Sequence, residues 1–372
     1  LRSLLKRLAP IFLLACGSAP AQVPAQAPAQ APAQDPAAAL PTLHVYTNLE
    51  QLPTLVLSHT HERLRNFDPK ALRVSLDSGP PFIPTSVHVE ADEPLSIALL
   101  IDANKLDTDL LPRIDLALAE LDHGALQPHD RISVYAIDCS LIESATNIPP
   151  APEALHRAVQ AAIEPARLRK THPGRECRTS MPLWDSLYSV TESLYAQPGR
   201  RVLIAITDGE DLGSQHTWPD LKLLTQITSV AVFGVIPYSP LVPIPVRLPQ
   251  GAHGLTNIVF HGLPEAPFNV VCELSGGVEL SVPSPHAKLP LARVLEMVRE
   301  RIIVEYPRGD HEKPGIHSVD VLLPHHRDAY IRPTGLTIPA PDPTRLADPT
   351  TIPSDPAHAP VVGKRHILKP SP

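Results

Sequence analysis

Two apolar runs, residues 95–101 (LSIALLI) and 201–207 (RVLIAIT), each lead into an aspartate, Asp102 and Asp208. An unbroken aliphatic run of this length is what a strand covered on both faces requires. Open α/β sheets gather their ligand sites at the C-terminal ends of such strands. Around these runs the text alternates strand with helix. Residues 108–122 place Leu110, Leu111, Ile114, Ala117, Leu118 and Leu121 on one helical face, with Asp107 or Thr108 as N-cap and Gly124 as the stop. Residues 131–138 (RISVYAID) form the next strand, and 141–148 return as a short antiparallel edge. Leu155, Val159 and Ile163 mark a second helix. A third starts near Pro182 and carries Leu183, Leu187, Val190 and Leu194 before Gly199. A helix opened by Trp218-Pro219, a strand over 229–236, a helix ending at Gly276-Gly277, a strand over 278–282 and a helix over 291–302 complete the series. Repeated βα units with right-handed crossovers predict an α/β fold over residues 94–302: a doubly wound, mostly parallel sheet.

Both flanks read as β. Residues 43–93 hold short runs broken by Pro, Gly and Asp, with clear alternation in 72–76 (LRVSL) and 87–89 (VHV). Residues 303–340 contain similar runs, notably 317–323 (HSVDVLL). The matching alternation predicts one small β module built jointly from the N- and C-terminal segments. His59 and His61 share a strand face but no third ligand accompanies them, so they read as surface histidines.

The outer parts have another composition. Of 372 residues 46 are proline, concentrated in residues 19–41 and 333–372. Arg2, Lys6 and Arg7 precede a short apolar stretch, which predicts an export signal over residues 1–21 rather than a membrane span. Two cleavage readings stand side by side. Leu13-Leu14-Ala15-Cys16 resembles a lipobox that would leave Cys16 lipidated, and Ala19-Pro20-Ala21 resembles an ordinary small-x-small site. Residues 22–42 repeat a PAQ unit and predict a semi-stiff, polyproline-like linker, while 341–372 predict a disordered Pro-rich tail. A formal charge of −7 with both signs interspersed, and only 4% aromatics, excludes a basic stripe for nucleic acid. Export permits disulfides, and Cys139 and Cys177 fall at the same end of the sheet, so they read either as a bridge or as small buried hydrophobes. Cys272, among Val270, Val271 and Leu274, reads as a core thiol.

Strand ends LLID and ITDGED, with Leu183-Trp184-Asp185-Ser186-Leu187 between them, resemble the von Willebrand factor A (vWA) domain. With the leader and flanking β segments included, residues 43–340 are similar to exported vWA-related proteins of Acidobacteria. The resemblance implies a metal-ion-dependent adhesion site (MIDAS), in which an Asp-x-Ser-x-Ser turn, a Thr and a later Asp hold Mg²⁺ and a partner carboxylate completes the shell. Mapped onto this chain, Asp102 and Asp208 match. Asn104 and Leu106 stand for the two serines and Met181 for the threonine. Asp102, Asn104 and Asp208 are therefore the candidate ligands of a degenerate site with weak Mg²⁺ or none, since Leu106 and Met181 offer nothing to a hard cation. Thr179, Ser180 or Asp107 would need loop adjustments to compensate, and Lys105 would place an ammonium beside the acids.

The function expected from this reading is an exported, non-catalytic module that binds a protein or peptide. Its loops carry Asn104, Lys105, Thr179, Ser180, Glu210 and Asp211, and it meets a membrane only through lipid on Cys16. The chain has no Gly-x-Ser-x-Gly elbow, P-loop, Gly-x-Gly-x-x-Gly or His-Glu-x-x-His motif, which leaves an enzyme reading only the strand-end acids Asp102, Asp138, Asp185 and Asp208. The alternatives are a structural cell-envelope component and, third, a metal-dependent binder or hydrolase using Asp102 and Asp208.

Overall fold

The computed structural model describes residues 49–338 except 65, 91–92, 105–109, 122–124, 173–176, 178, 180, 212, 238–267, 283, 285–286, 308–314 and 335, together with residue 361. The leader with Cys16, the linker, Lys105, Leu106, Asp107, Gly124, Ser180 and nearly all of the tail lie outside the described residues.

The elements follow in chain order. The first segment gives β1 (Leu49–Leu57), β2 (Arg73–Leu76) and β3 (Ser86–Val89). The middle of the chain gives β4 (Leu95–Asp102), α1 (Leu110–Glu120), β5 (Arg131–Ile137), β6 (Leu141–Ile148), α2 (Pro152–Thr171) and α3 (Leu183–Tyr195). It continues through β7 (Arg200–Ile206), α4 (Trp218–Thr228), β8 (Val230–Ile236), α5 (Phe268–Ser275), β9 (Glu279–Ser281) and α6 (Leu291–Arg299). The last part gives β10 (Ile302–Pro307), β11 (Gly315–His317), β12 (Val319–Leu322), β13 (Tyr330–Pro333) and β14 (Leu336–Ile338).

A six-stranded sheet of order β6-β5-β4-β7-β8-β9 forms the centre, parallel throughout except for the antiparallel edge strand β6. Every residue of β4 is buried, because alternate side chains enter opposite layers. Ile97, Leu99 and Ile101 join the core formed with Ile114 of α1, Val159 of α2 and Val294 of α6. Ala98 and Leu100 join the opposite core with Leu187 of α3, Leu221 of α4 and Val271 of α5. The doubly wound α/β reading of the sequence is thus the fold. Between α5 and β9 the chain needs Gly277, where a Cβ would lie 2.0 Å from the Val232 carbonyl oxygen.

The flanking segments interleave in one composite module. β13-β1-β10-β3 form an antiparallel sheet and β12 pairs with β2, so N- and C-terminal strands alternate. Leu52 and Val56 of β1 enter the module's own core with Val304 and Val321, while Leu55 and Leu57 turn into the main core. The helix expected over 291–302 stops at Arg299. Ile302, Ile303 and Val304 are β-branched and pair with Leu52, Pro53 and Thr54 of β1, which outweighs continuation of the helix. His61, at φ 60°, packs edge-on against Tyr330, and His59 is exposed beside Asp328.

Edge strand β9 carries a pH-sensitive group. Burial, with Glu273 nearby, pushes the Glu279 carboxyl up to about 7. An unfolded glutamate titrates near ~4.3. Between those values the folded state holds a proton that the unfolded state has released, so stability falls as pH rises through the window. Glu279→Gln removes the charge that folding disfavours. Thermal or urea melts should show the variant more stable than the parent by on the order of 3 kcal/mol at pH 8 and equal to it at pH ~3, below both values. A gain of the same size at both pH values would refute this account.

Candidate functional site

Strands β4, β5 and β7 end side by side, and their C-terminal loops meet the start of α3. Asp102, only 3% exposed, accepts a hydrogen bond from the Thr207 hydroxyl at 3.1 Å. Thr207 Oγ1 in turn accepts from the Gly209 amide, and Asp208 Oδ1 accepts from the Glu210 amide at 3.0 Å. This is the local side-chain-to-backbone bonding by which Asp and Thr shape turns. Gly209 adopts φ 80° with Phe268 against its back, a position that favours glycine.

The loop after β7 is clasped to α3 from both sides. Asp211 Oδ1 accepts from the Trp184 amide at 3.0 Å and from the Ser214 hydroxyl at 2.6 Å. Reciprocally, the Asp185 carboxylate accepts from the Gln215 and His216 amides and from His216 Nδ1, and that ring stacks on Tyr188. Burial alone would raise the Asp185 carboxyl, but these hydrogen bonds outweigh it and hold the group below the usual carboxylate range. Asp211, read from the sequence as a binding residue, caps the start of α3 through the Trp184 amide.

On the β5 side, the Arg169 guanidinium from the last turn of α2 contacts Asp138 and donates to Asn104 Oδ1 at 3.3 Å. The Asn104 amide bonds the Ile137 carbonyl, and the Met181 amide bonds the Asp138 carbonyl. Cys139 and Cys177 form a disulfide, with Cys177 Sγ 3.9 Å from Asp138 Oδ1. Cys272 is a buried thiol in the second core layer.

These loops enclose a cleft of about 740 Å³, whose wall includes Asp102, Asn104, Cys139, Thr179, Met181 and Glu210. Asp185, Gly213 and Gln215 also line it. Of the residues singled out in the sequence, Asp102, Asn104, Thr179 and Glu210 meet at this cleft. Asp208 and Asp211 serve the turn beside it, and Lys105 and Ser180 lie outside the described residues.

A divalent cation bound in the vWA manner would need oxygen from several of these positions. Here the Asn104 oxygen takes Arg169, Asp102 takes the Thr207 hydroxyl, and Met181 lines the cleft with a thioether. Among the described residues, the metal-ligating types that cluster are Asp138, Cys139 and Cys177. The two sulfurs there are joined to each other and the carboxylate contacts Arg169. That donor set does not fit a hard dication.

Arg169 was not singled out by the sequence reading, although a signal for it exists. Leu155, Val159, Ala162 and Ala166 form the buried stripe of α2, and Arg169 is the next position on that stripe. A charge where the period calls for an apolar residue marks a side chain with an internal partner.

Sheet order, a single antiparallel edge and helices on both faces make a doubly wound α/β domain of the vWA/Rossmann-like class. No family model matches the chain, and no curated protein matches it. Among solved structures it is similar to the conserved hypothetical protein BatB from Bacteroides thetaiotaomicron, at 16% identity and TM-score 0.32 over 55% of this chain and 96% of that one. An aerotolerance-related membrane protein from Bacteroides fragilis NCTC 9343 is similar at 13% identity and TM-score 0.32, over 55% of this chain and 98% of that one. Proximal thread matrix protein 1 from the mussel byssus, in a form with a zinc-occupied MIDAS motif, is similar at 11% identity and TM-score 0.38. That match covers 61% of this chain and 50% of the mussel protein. Among the described residues no helix is long and apolar enough to cross a membrane.

Proposed function

We propose that this protein is an exported, non-catalytic binding module whose cleft, at the C-terminal edge of the parallel sheet, receives a protein or peptide partner. The cleft itself carries the reading: an open concavity of about 740 Å³ walled by loops from β4, β5, β7 and the start of α3, on a rigid sheet. The Cys139–Cys177 bridge supports export, since such bonds persist in oxidising compartments. The leader-like start, with or without lipid on Cys16, and the likeness of residues 43–340 to exported vWA-related proteins of Acidobacteria agree with it. Partner binding in this reading uses no Mg²⁺.

Filling the cleft tests the proposal. Thr179→Arg and Gln215→Arg in the full chain should each weaken capture of a partner from the cell-envelope fraction by roughly tenfold or more, without lowering the melting temperature. Capture by the parent should persist in EDTA. Capture unchanged by either substitution would favour a structural envelope component instead. A hydrolase activity that disappears in Asp208→Asn would overturn the non-catalytic reading.

A further inference from the structure

Asp102 and Asp138 occupy neighbouring strand ends: Asp102 faces Ile137 across the parallel ladder, so Asp138 lies one residue further along the adjacent strand. Asn104, in the loop after β4, bonds back to Ile137. The β4 and β5 loops thus meet at the sheet edge that the vWA resemblance gives to a dication, and a cation does reach this place, covalently attached to the chain. Arg169 extends from the last turn of α2, its side chain 15% exposed, to contact the 6% exposed Asp138 and the Asn104 oxygen together.

We infer that the Arg169 guanidinium replaces the divalent cation, tying the β4 and β5 loops together and supplying the positive charge this sheet edge needs without an ion. Guanidinium chemistry suits the task. Its planar fork presents several donors to acceptors on separate loops, it stays charged at every relevant pH, and it is less costly to desolvate than an ammonium. The C-terminal turn of a helix is also where a cation is favoured by the backbone dipole. Being tethered, the charge cannot dissociate or be removed by a chelator. While it is in place, the Asn104 oxygen and the Asp138 carboxylate face a guanidinium rather than a metal. The inference goes beyond the binding reading above: it concerns how the loops are held, whatever they bind.

The test uses the full-length protein, Arg169→Gln, and Arg169→Gln combined with Asp138→Asn, with Mg²⁺ and Mn²⁺ as probes. For the parent, calorimetric titration should give no saturable heat at millimolar ion, and EDTA should leave the melting temperature unchanged. Arg169→Gln should melt roughly 5–10 °C lower. Millimolar Mn²⁺ should recover part of that loss, and the recovery should vanish when Asp138→Asn is added. Saturable Mg²⁺ or Mn²⁺ binding to the parent that is lost in Asp102→Asn would overturn the inference. A destabilised Arg169→Gln that ignores Mn²⁺ would overturn it equally, because Arg169 would then be an ordinary ion pair. Should Arg169→Gln fail to fold, Arg169→Lys decides: a compact ammonium reaching only one loop should give a lower melting point and a partial Mn²⁺ response, and parent-like melting without one would reject the bridging role.

Discussion

Arg301→Met is expected to destabilise the protein by about 3–5 kcal/mol, the cost of leaving a buried carboxylate without its main partner. Arg301 is 1% exposed, the largest of the fully buried side chains, and its Nη2 donates to Glu90 Oε1 at 2.9 Å. Glu90 is itself 4% exposed. With Arg301 gone, Glu90 keeps Arg200, whose Nε lies 3.6 Å from the same oxygen on a more exposed side chain. Adding Glu90→Gln should recover much of the loss, since removing both charges of a buried pair is far less costly than removing one. Urea denaturation of the parent, both single variants and the double variant gives the coupling directly. A single variant within about 1 kcal/mol of the parent, or a double variant no better than Arg301→Met, would contradict the argument. Arg167→Ala, which breaks an exposed pair with Glu164, is the control and should leave the urea midpoint unchanged.

The pair's position explains why it matters. Glu90 follows β3 and Arg301 precedes β10, so the two residues stand where the chain enters the α/β domain and where it leaves. Their backbones also meet, Glu90 amide to Arg301 carbonyl at 2.8 Å. Next to them Arg299 donates to Asp130 at 2.5 Å and to the Glu93 carbonyl, and Asp130 accepts from the Leu95 and Gln127 amides. All of this lies at the N-terminal ends of the strands, opposite the cleft. Charge at one end of the sheet holds the composite module to the domain, while charge at the other end shapes the binding loops.

Much of this architecture is readable from periodicity. Continuous apolar runs gave β4, β7 and β8, and the stripes of α1, α2 and α3 gave the covering helices, because burial on both faces leaves little freedom in composition. Strand pairing in the flanking module was not readable. The alternation in residues 72–76 and 317–323 shows that each segment is half-buried, but nothing local tells β12 to choose β2 rather than β1. The same limit divides the site. Asp102 and Asp208 announce themselves as strand ends, whereas the clasp of Asp185 and Asp211 depends on the path of the loop after β7, which no local signal encodes. Arg169 falls between these cases: its anomaly is visible on the stripe of α2, but its partners are not.

Loss of the Cys139–Cys177 bridge, as Cys139→Ser with Cys177→Ser, should cost about 3–4 kcal/mol, by the loop-closure entropy of a crosslink. The sequence separation is 38, and the enclosed segment contains β6 and the whole of α2. Because the effect acts chiefly on the unfolded chain, the denaturant slope should rise as the midpoint falls, reflecting a less compact unfolded ensemble. An unchanged midpoint and slope would mean that no crosslink operates in the parent. The Arg169–Asp138 contact spans nearly the same segment, with a separation of 31, but it operates only in the folded protein. Combining Arg169→Gln with the two serine substitutions therefore separates two physical roles for the bridge. If it acts through unfolded-chain entropy alone, the two losses add. If it also holds the end of α2 so that Arg169 can reach both loops, the combined loss is smaller than the sum, because the ion contact will already have loosened when the bridge is removed.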